Sequence, residues 1–204
     1  MKNKLLVSLL LTSIYSFSQF HLGIKGGINI SKVNPYTNRT SLHLGMTSNL
    51  ILAEMIVFQP EILYTQLGGK SYDYSYTRTF ANNYLCFPLM TKFFLTEKLA
   101  FEIGPQPSVL LSSKYKTSFG LKEPAKVKAN AFDFALVFGL SHQFTQTIML
   151  ETRLGLGLNN VYKSETGFGP KNKFFQISLG YIFNNKKPYN ETEDLEGEET
   201  TEIY

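Results

Sequence analysis

The sequence predicts an all-β protein: an eight-stranded antiparallel up-and-down transmembrane β-barrel with short periplasmic turns and long extracellular loops. Three observations carry that expectation. Apolar and polar residues alternate with period two over eight segments, and no stretch settles into a helical period. The connections between the segments alternate strictly between long and short, as they do when successive strands run up and down between two unlike ends. The apolar faces also hold more bulk than a small barrel can enclose, while the opposite faces are rich in glycine.

The chain opens on MKNKLLVSLLLTSIYSFSQF, in which Lys2 and Lys4 precede an apolar run from Leu5 to Tyr15 and then Ser16 and Ser18, spaced as at a signal-peptidase site. Residues 1–18 are therefore expected to be a signal peptide, with Gln19 the mature N-terminus. The run is too short and too early to span a membrane as a helix, and no later stretch is long and apolar enough to do so. A single cysteine, Cys86, excludes an intramolecular disulfide framework and is expected to be a small packed residue on a strand.

The first strand, Phe20 to Ile30, puts Phe20, Leu22, Ile24, Ile28 and Ile30 on one face and Gly23, Lys25 and Gly27 on the other. The second, Ser41 to Leu52, and third, Ile56 to Leu67, come after the long connection SKVNPYTNRT and the short AEM, and bring Gly45 and Glu61. After GGKSYDYSYTRTFA the fourth runs from Asn83 to Leu95 with Lys92, and after TEK the fifth runs from Leu99 to Leu111 with Glu102 and Gly104. The longest connection, SSKYKTSFGLKEPAKVKAN, leads to the sixth, Ala131 to Phe144, where Phe132, Phe134, Leu136, Phe138 and Leu140 share a face opposite Gly139. The seventh, Ile148 to Asn159, contains LETRLGLGLNN: its leucines fall on one side and Glu151, Arg153, Gly155 and Gly157 on the other. The eighth, Lys173 to Phe183, carries Phe175, Ile177, Leu179, Tyr181 and Phe183 opposite Gly180.

Alternation alone does not say which face is wet. Volume does, because the interior of an eight-stranded barrel is only just filled by side chains. The large residues must point outward, to lipid, and the glycines and charges inward. Closure would satisfy every backbone group in the bilayer, which an open sheet could not. A soluble lipocalin-like barrel is the structural alternative; it would line a cavity with its large residues and expose its glycines. The even strand count places both mature termini in the periplasm.

The chain resembles the PorT-like family of outer-membrane β-barrels, which shares its architecture with the small OmpA-type barrels. The resemblance rests on FQPEILYTQLGGKS (Phe58 to Ser71), NYLCFPLMTKFFLTEKLAFEIGPQPSVLLSSK (Asn83 to Lys114), FDFALVFGLSHQF (Phe132 to Phe144) and FFQISLGYIF (Phe174 to Phe183), and covers most of the mature barrel. It implies a non-enzymatic envelope protein, either a structural or surface-binding element or a component of a secretion assembly. It also implies that the aromatic end of the last strand, Tyr181 and Phe183, is read by the outer-membrane insertion machinery.

Six inward charges form the most informative constellation: Lys25, Glu61, Lys92, Glu102, Glu151 and Arg153, three cations and three carboxylates in the periplasmic half. Unpaired, they would be very costly in a poorly hydrated lumen, so they are expected to pair into a plug, with Glu61, Lys92 and Glu102 forming a ladder on consecutive strands. A small channel is the alternative. Catalysis is disfavoured because His21, His43 and His142 fall on separate strands at different heights, without nucleophile-elbow or metal-ligand spacing. No glycine-rich segment opens a helix to cradle phosphate, and no cofactor is expected.

The predicted outer loops are basic and rich in tyrosine. Tyr72, Tyr74 and Tyr76 surround Asp73, and Lys114, Lys116, Lys122, Lys126 and Lys128 crowd one loop against Glu123 alone. Such rims suit anionic lipid headgroups, or recognition of a surface protein or glycan through tyrosine. The chain ends in PYNETEDLEGEETTEIY, seven carboxylates without a basic residue, so 184–204 is expected to be a disordered acidic tail in the periplasm and 19–183 the barrel. The expected partners are outer-membrane lipid, the insertion machinery and an envelope or secretion-system protein; no nucleic acid is expected, and the barrel is expected to be monomeric.

Overall fold

Alternating apolar and polar residues over most of the chain leave β-structure as the one way to separate them, and the computed structural model is built accordingly. It describes residues 20–33, 36–72, 74, 77–118, 125–126, 129–162 and 169–183. The signal segment 1–18, the tail 184–204, Tyr76, Lys122 and Lys128 lie outside the described residues, and of Lys126 only the backbone is described.

The strands are β1 (Phe20–Val33), β2 (Arg39–Ala53), β3 (Ile56–Tyr72), β4 (Thr77–Cys86), β5 (Leu89–Phe94), β6 (Leu99–Thr117), β7 (Ala125–Lys126), β8 (Phe132–Gln143), β9 (Ile148–Asn160) and β10 (Lys171–Ile182). Every pairing is antiparallel. The ring runs β1–β2–β3, then β4 and β5, then β6–β8–β9–β10, and closes on β1. β4 and β5 lie end to end between β3 and β6, parted only by Phe87 and Pro88, so they are two halves of one stave. β7 adds two residues to β6 outside the ring. The barrel therefore has eight staves, up and down.

Leu22, Ile24, Leu42, Leu44, Ile62, Leu140, Leu154, Leu156 and Leu179 are exposed on the outer wall, whereas Lys25, His43, Glu61, Glu151 and Arg153 are buried in the lumen. Phe20 begins β1 and Ile182 ends β10 at the end that carries the connections 54–55, 95–98 and 144–147, the turn end. The other end, the extended end, carries 34–38, 73–76, 118–131 and 161–170.

The structure departs from the sequence expectation in four places. Strands overshoot the apolar belt at the extended end: Gly68 to Tyr72, Thr77 to Asn82 and Ser112 to Thr117, expected in loops, are paired strand. Tyr72 accordingly ends β3 rather than lying in a loop, and two of the connections expected to be long shrink to 34–38 and 73–76. Above the belt the outward face turns polar, with Thr79, Lys114 and Lys116, while Phe80 and Tyr115 point inward, so the pattern of an apolar outer face no longer marks the strand.

Second, the fourth stave breaks at Pro88, which has no N–H to donate. The Phe87 N–H donates to the Pro107 carbonyl at 2.8 Å and the Pro88 carbonyl accepts from Glu61 N–H at 2.9 Å, so the seam stays bridged. Third, a bulge between β4 and β6, where Asn83 pairs with Ser112 and Tyr84 with Leu110, moves the inward set of β6 from even to odd numbers and buries Ser113. Fourth, the lumen is not lined by small and polar residues alone. Leu63, Leu67, Tyr84, Cys86, Met90, Ala135, Val137 and Phe174 form a buried apolar cluster inside it.

Candidate functional site: a charge cluster across the lumen

The inward faces of β1, β3, β5, β6 and β9 bring Lys25, Glu61, Lys92, Glu102, Glu151 and Arg153 to one level nearer the turn end. Arg153 is the centre. Its Nε and Nη2 donate to the two oxygens of Glu102 at 2.8 and 3.0 Å, and its Nη1 and Nη2 to those of Glu61 at 2.9 and 2.7 Å. Such doubly forked geometry is available only to a guanidinium. Glu61 lies on β3 and Arg153 on β9, four staves apart in a ring of eight, so this bond runs straight across the lumen.

Lys25 donates to Glu61 at 2.9 Å and to Glu151 at 2.6 Å, and Lys92 donates to Glu151 at 2.8 Å. A residue that the sequence pattern does not single out completes the set: the Gln59 amide donates to Glu61 and, at 3.1 Å, to Glu151 on the opposite stave. All six carboxylate oxygens are thereby engaged, and every charged side chain is at most 4% exposed.

The expected ladder of Glu61, Lys92 and Glu102 is not the arrangement found. Lys92 is the register partner of Glu102, but its ammonium stays 3.9 Å from that carboxylate and reaches across to Glu151 instead. In so narrow a barrel the far wall is as near as the next strand, and Glu102 is already held by Arg153.

Glycines make the bridging possible. Gly139 stands between Glu102 and Arg153 in register, and a Cβ there would lie 2.6 Å from Glu102 Oε1 and 2.9 Å from Arg153 Cγ. Lys25 has Gly45 on one side and Gly180 on the other. Toward the extended end the device recurs: His43 and Ser178 face each other across Gly27, with His43 Nε2 2.7 Å from Ser178 Oγ. His43 Nδ1 lies 2.8 Å from Asn29 Oδ1, which also accepts from Gln176 at 2.9 Å. The signal in the sequence was a glycine inside a strand pattern, which marks close approach of a neighbour.

Above these layers, toward the extended end, Tyr36 stacks on Phe80 at 4.5 Å, and the Tyr115 and Tyr162 rings lie 6.1 and 6.3 Å from Phe80. Below, a cavity of about 30 Å³ between Lys92, His21, Asn49 and Ser141 is little more than a water site. His21 and His142 sit near the turn end, His142 edge-on to Phe144 at 5.0 Å, and His43 is in the lumen, so the histidines are not assembled. No group of metal-ligating residues occurs among the described residues.

Of the other residues singled out in the sequence, Tyr72 and Tyr74 are exposed at the tip of the β3–β4 hairpin. Tyr181 is exposed on the outer wall at the turn end and meets Phe183 edge-on at 5.4 Å.

Residues 14–163 match the outer membrane protein beta-barrel domain family. The chain belongs to that family. It is an outer-membrane β-barrel of the small eight-stranded type, and the bilayer is the apolar medium its exposed leucines meet. Among solved structures, Neisserial surface protein A (NspA) is 10% identical, with 81% of this chain and 98% of that chain covered and a TM-score of 0.49. Ail, the attachment invasion locus protein of Yersinia pestis, is 14% identical over 80% of this chain and 97% of that one, TM-score 0.46. The N-terminal β-barrel domain of Pseudomonas aeruginosa OprF is 11% identical over 81% and 100%, TM-score 0.38. No curated protein matches the sequence.

Proposed function

We propose that this outer-membrane barrel is non-enzymatic and closed, a membrane-held platform for its extended-end hairpins rather than a pore. The observation that carries the reading is the Arg153–Glu61 bond between opposite staves, inside a cluster of three cations and three carboxylates with every oxygen engaged. Moving an ion past it would require breaking a fully buried charge network, which costs several kcal/mol per uncompensated charge. The extended end faces the exterior and both mature termini lie in the periplasm, where the acidic segment 184–204 can meet a partner. The PorT-like motifs favour a component of an envelope protein-secretion assembly as that role, with Tyr181 and Phe183 read during insertion.

The test is electrical. Purified protein in planar bilayers is expected to show no steady conductance. A stable open channel in the unaltered protein, with ion selectivity changed by Lys92→Ala, would overturn the platform reading in favour of the small channel. Co-purification in mild detergent then identifies the envelope partner.

A further inference from the structure

The prolines of the barrel wall fall on three neighbouring staves at one height. Pro60 is on β3, Pro88 lies between β4 and β5, and Pro105 and Pro107 are on β6, while β1, β2, β8, β9 and β10 contain none. Pro60 is the register partner of Leu89. Between the fourth stave and β6 the register is the same on either side of the break, with Cys86 opposite Ser108 and Thr91 opposite Ile103. It therefore sets Phe87 against Pro107 and Leu89 against Pro105.

Facing residues of an antiparallel ladder exchange two bonds at each hydrogen-bonded pair, and here the exchange runs one way. Phe87 N–H donates to the Pro107 carbonyl and Glu61 N–H to the Pro88 carbonyl, but Pro107 and Pro88 have no N–H to return. Two residues along, Pro105 has none for Leu89. The carbonyls of Glu61, Phe87 and Leu89 thus lose the ladder donor opposite them. They do so inside the apolar belt, where Leu89 and Phe101 are exposed on the outer wall and no water takes the donor's place. Phe87 to Met90 is a stretch of wall with a weakened hold on both its neighbours.

The charge cluster lies directly behind that stretch. Glu61 faces Pro88 from β3, and Glu102 lies on β6, so the two carboxylates that Arg153 grips belong to the staves on either side of the weak one. The guanidinium ties β3 and β6 together from inside and anchors both to β9, whose own ladders are uninterrupted at this level. Lys92, on the weak stave itself, is drawn inward to Glu151 of β9 at 2.8 Å. Its choice of Glu151 over the adjacent Glu102 fastens the stave to the opposite wall. We infer that the fourth stave is a latched lateral opening: the wall parts toward the bilayer between Phe87 and Met90 when the grip of Arg153 on Glu61 and Glu102 is broken, and stays shut while it holds.

Exchange of wall amides reads neither conductance nor which end faces outward, so this inference and the platform reading can fail separately. The protein is inserted in phospholipid vesicles and its backbone hydrogen exchange is followed by mass spectrometry. Arg153→Ala is expected to raise exchange in 85–91 and 103–109 at least about tenfold above that in 174–180, which sits beside the substituted strand with its ladder intact. Adding Pro105→Ala/Pro107→Ala restores two donors and should lower the rise again by about tenfold, the scale of a net backbone hydrogen bond. Glu102→Gln loosens only the β6 arm of the latch; it should show the same localisation, and serves where Arg153→Ala does not insert. A rise spread evenly around the ring, a rise centred on β9, or a rise untouched by the proline replacements overturns the proposal.

Discussion

Arg153 shows how much one side chain does in a barrel this narrow. With Lys the same position would supply one point charge, whereas the guanidinium fork serves Glu61 and Glu102 at once. Arg153→Ala leaves two buried carboxylates facing each other and should destabilise by about 3–5 kcal/mol, measured by urea unfolding in phospholipid vesicles; Arg153→Lys should lose less. Wild-type stability in the Ala variant would show that the cluster is not buried as described. The glycines carry the complementary lesson. Gly155 is pressed by the Phe174 ring, whose Cζ would stand 2.0 Å from an added Cβ, an aromatic side chain covering a cross-strand glycine. Gly155→Ala should therefore cost about 1–3 kcal/mol by overpacking. In a Phe174→Ala background that cost should fall away, and an additive double-mutant cycle would refute the contact.

Among the elements, the eighth stave and the acidic segment beyond it separate assembly from partnership. β10 is hydrogen-bonded to β1 and β9 along its length, and Phe183 N–H still donates to the Leu22 carbonyl at 2.7 Å. The ring is closed before residue 184 is reached. Truncation after Lys187 is expected to leave insertion and heat resistance intact and to remove at most binding to a basic periplasmic partner. Failure of the truncated chain to assemble would move the insertion signal from Tyr181 and Phe183 into the tail. The fourth stave shows a different economy: an inward Pro88 would open a hole in most strands, yet carbonyl and amide partners from β3 and β6 span it.

For the whole molecule, the proposed direction of insertion is read by one measurement. Cys86, the single cysteine, is fully buried in the lumen and gives little background to a bulky thiol reagent. Tyr74→Cys at the β3–β4 tip should be labelled by an impermeant maleimide on intact cells. A cysteine placed in the tail should be labelled only after the outer membrane is permeabilised. The reverse pattern would invert the topology.

Alternation, connection lengths and bulk make the barrel legible in the sequence: Leu154 and Glu151 can be sent to opposite faces because β-structure has period two and a small lumen has a fixed volume. The same reasoning selects all six charges that meet in the lumen, since an inward charge in a strand pattern is visible residue by residue. Partner choice is not visible. Lys92 takes Glu151 across the lumen rather than Glu102 beside it, and neither the bridging role of Gln59 nor the apolar cluster around Leu63 and Phe174 stands out in the pattern. Strand ends above the belt are equally hidden, for there the outward face is no longer apolar. Sequence determines which face a side chain takes because that depends on its own parity along one strand. Which residue it meets depends on the stagger of eight strands around the ring and on the gaps their glycines leave, and only the closed barrel decides those.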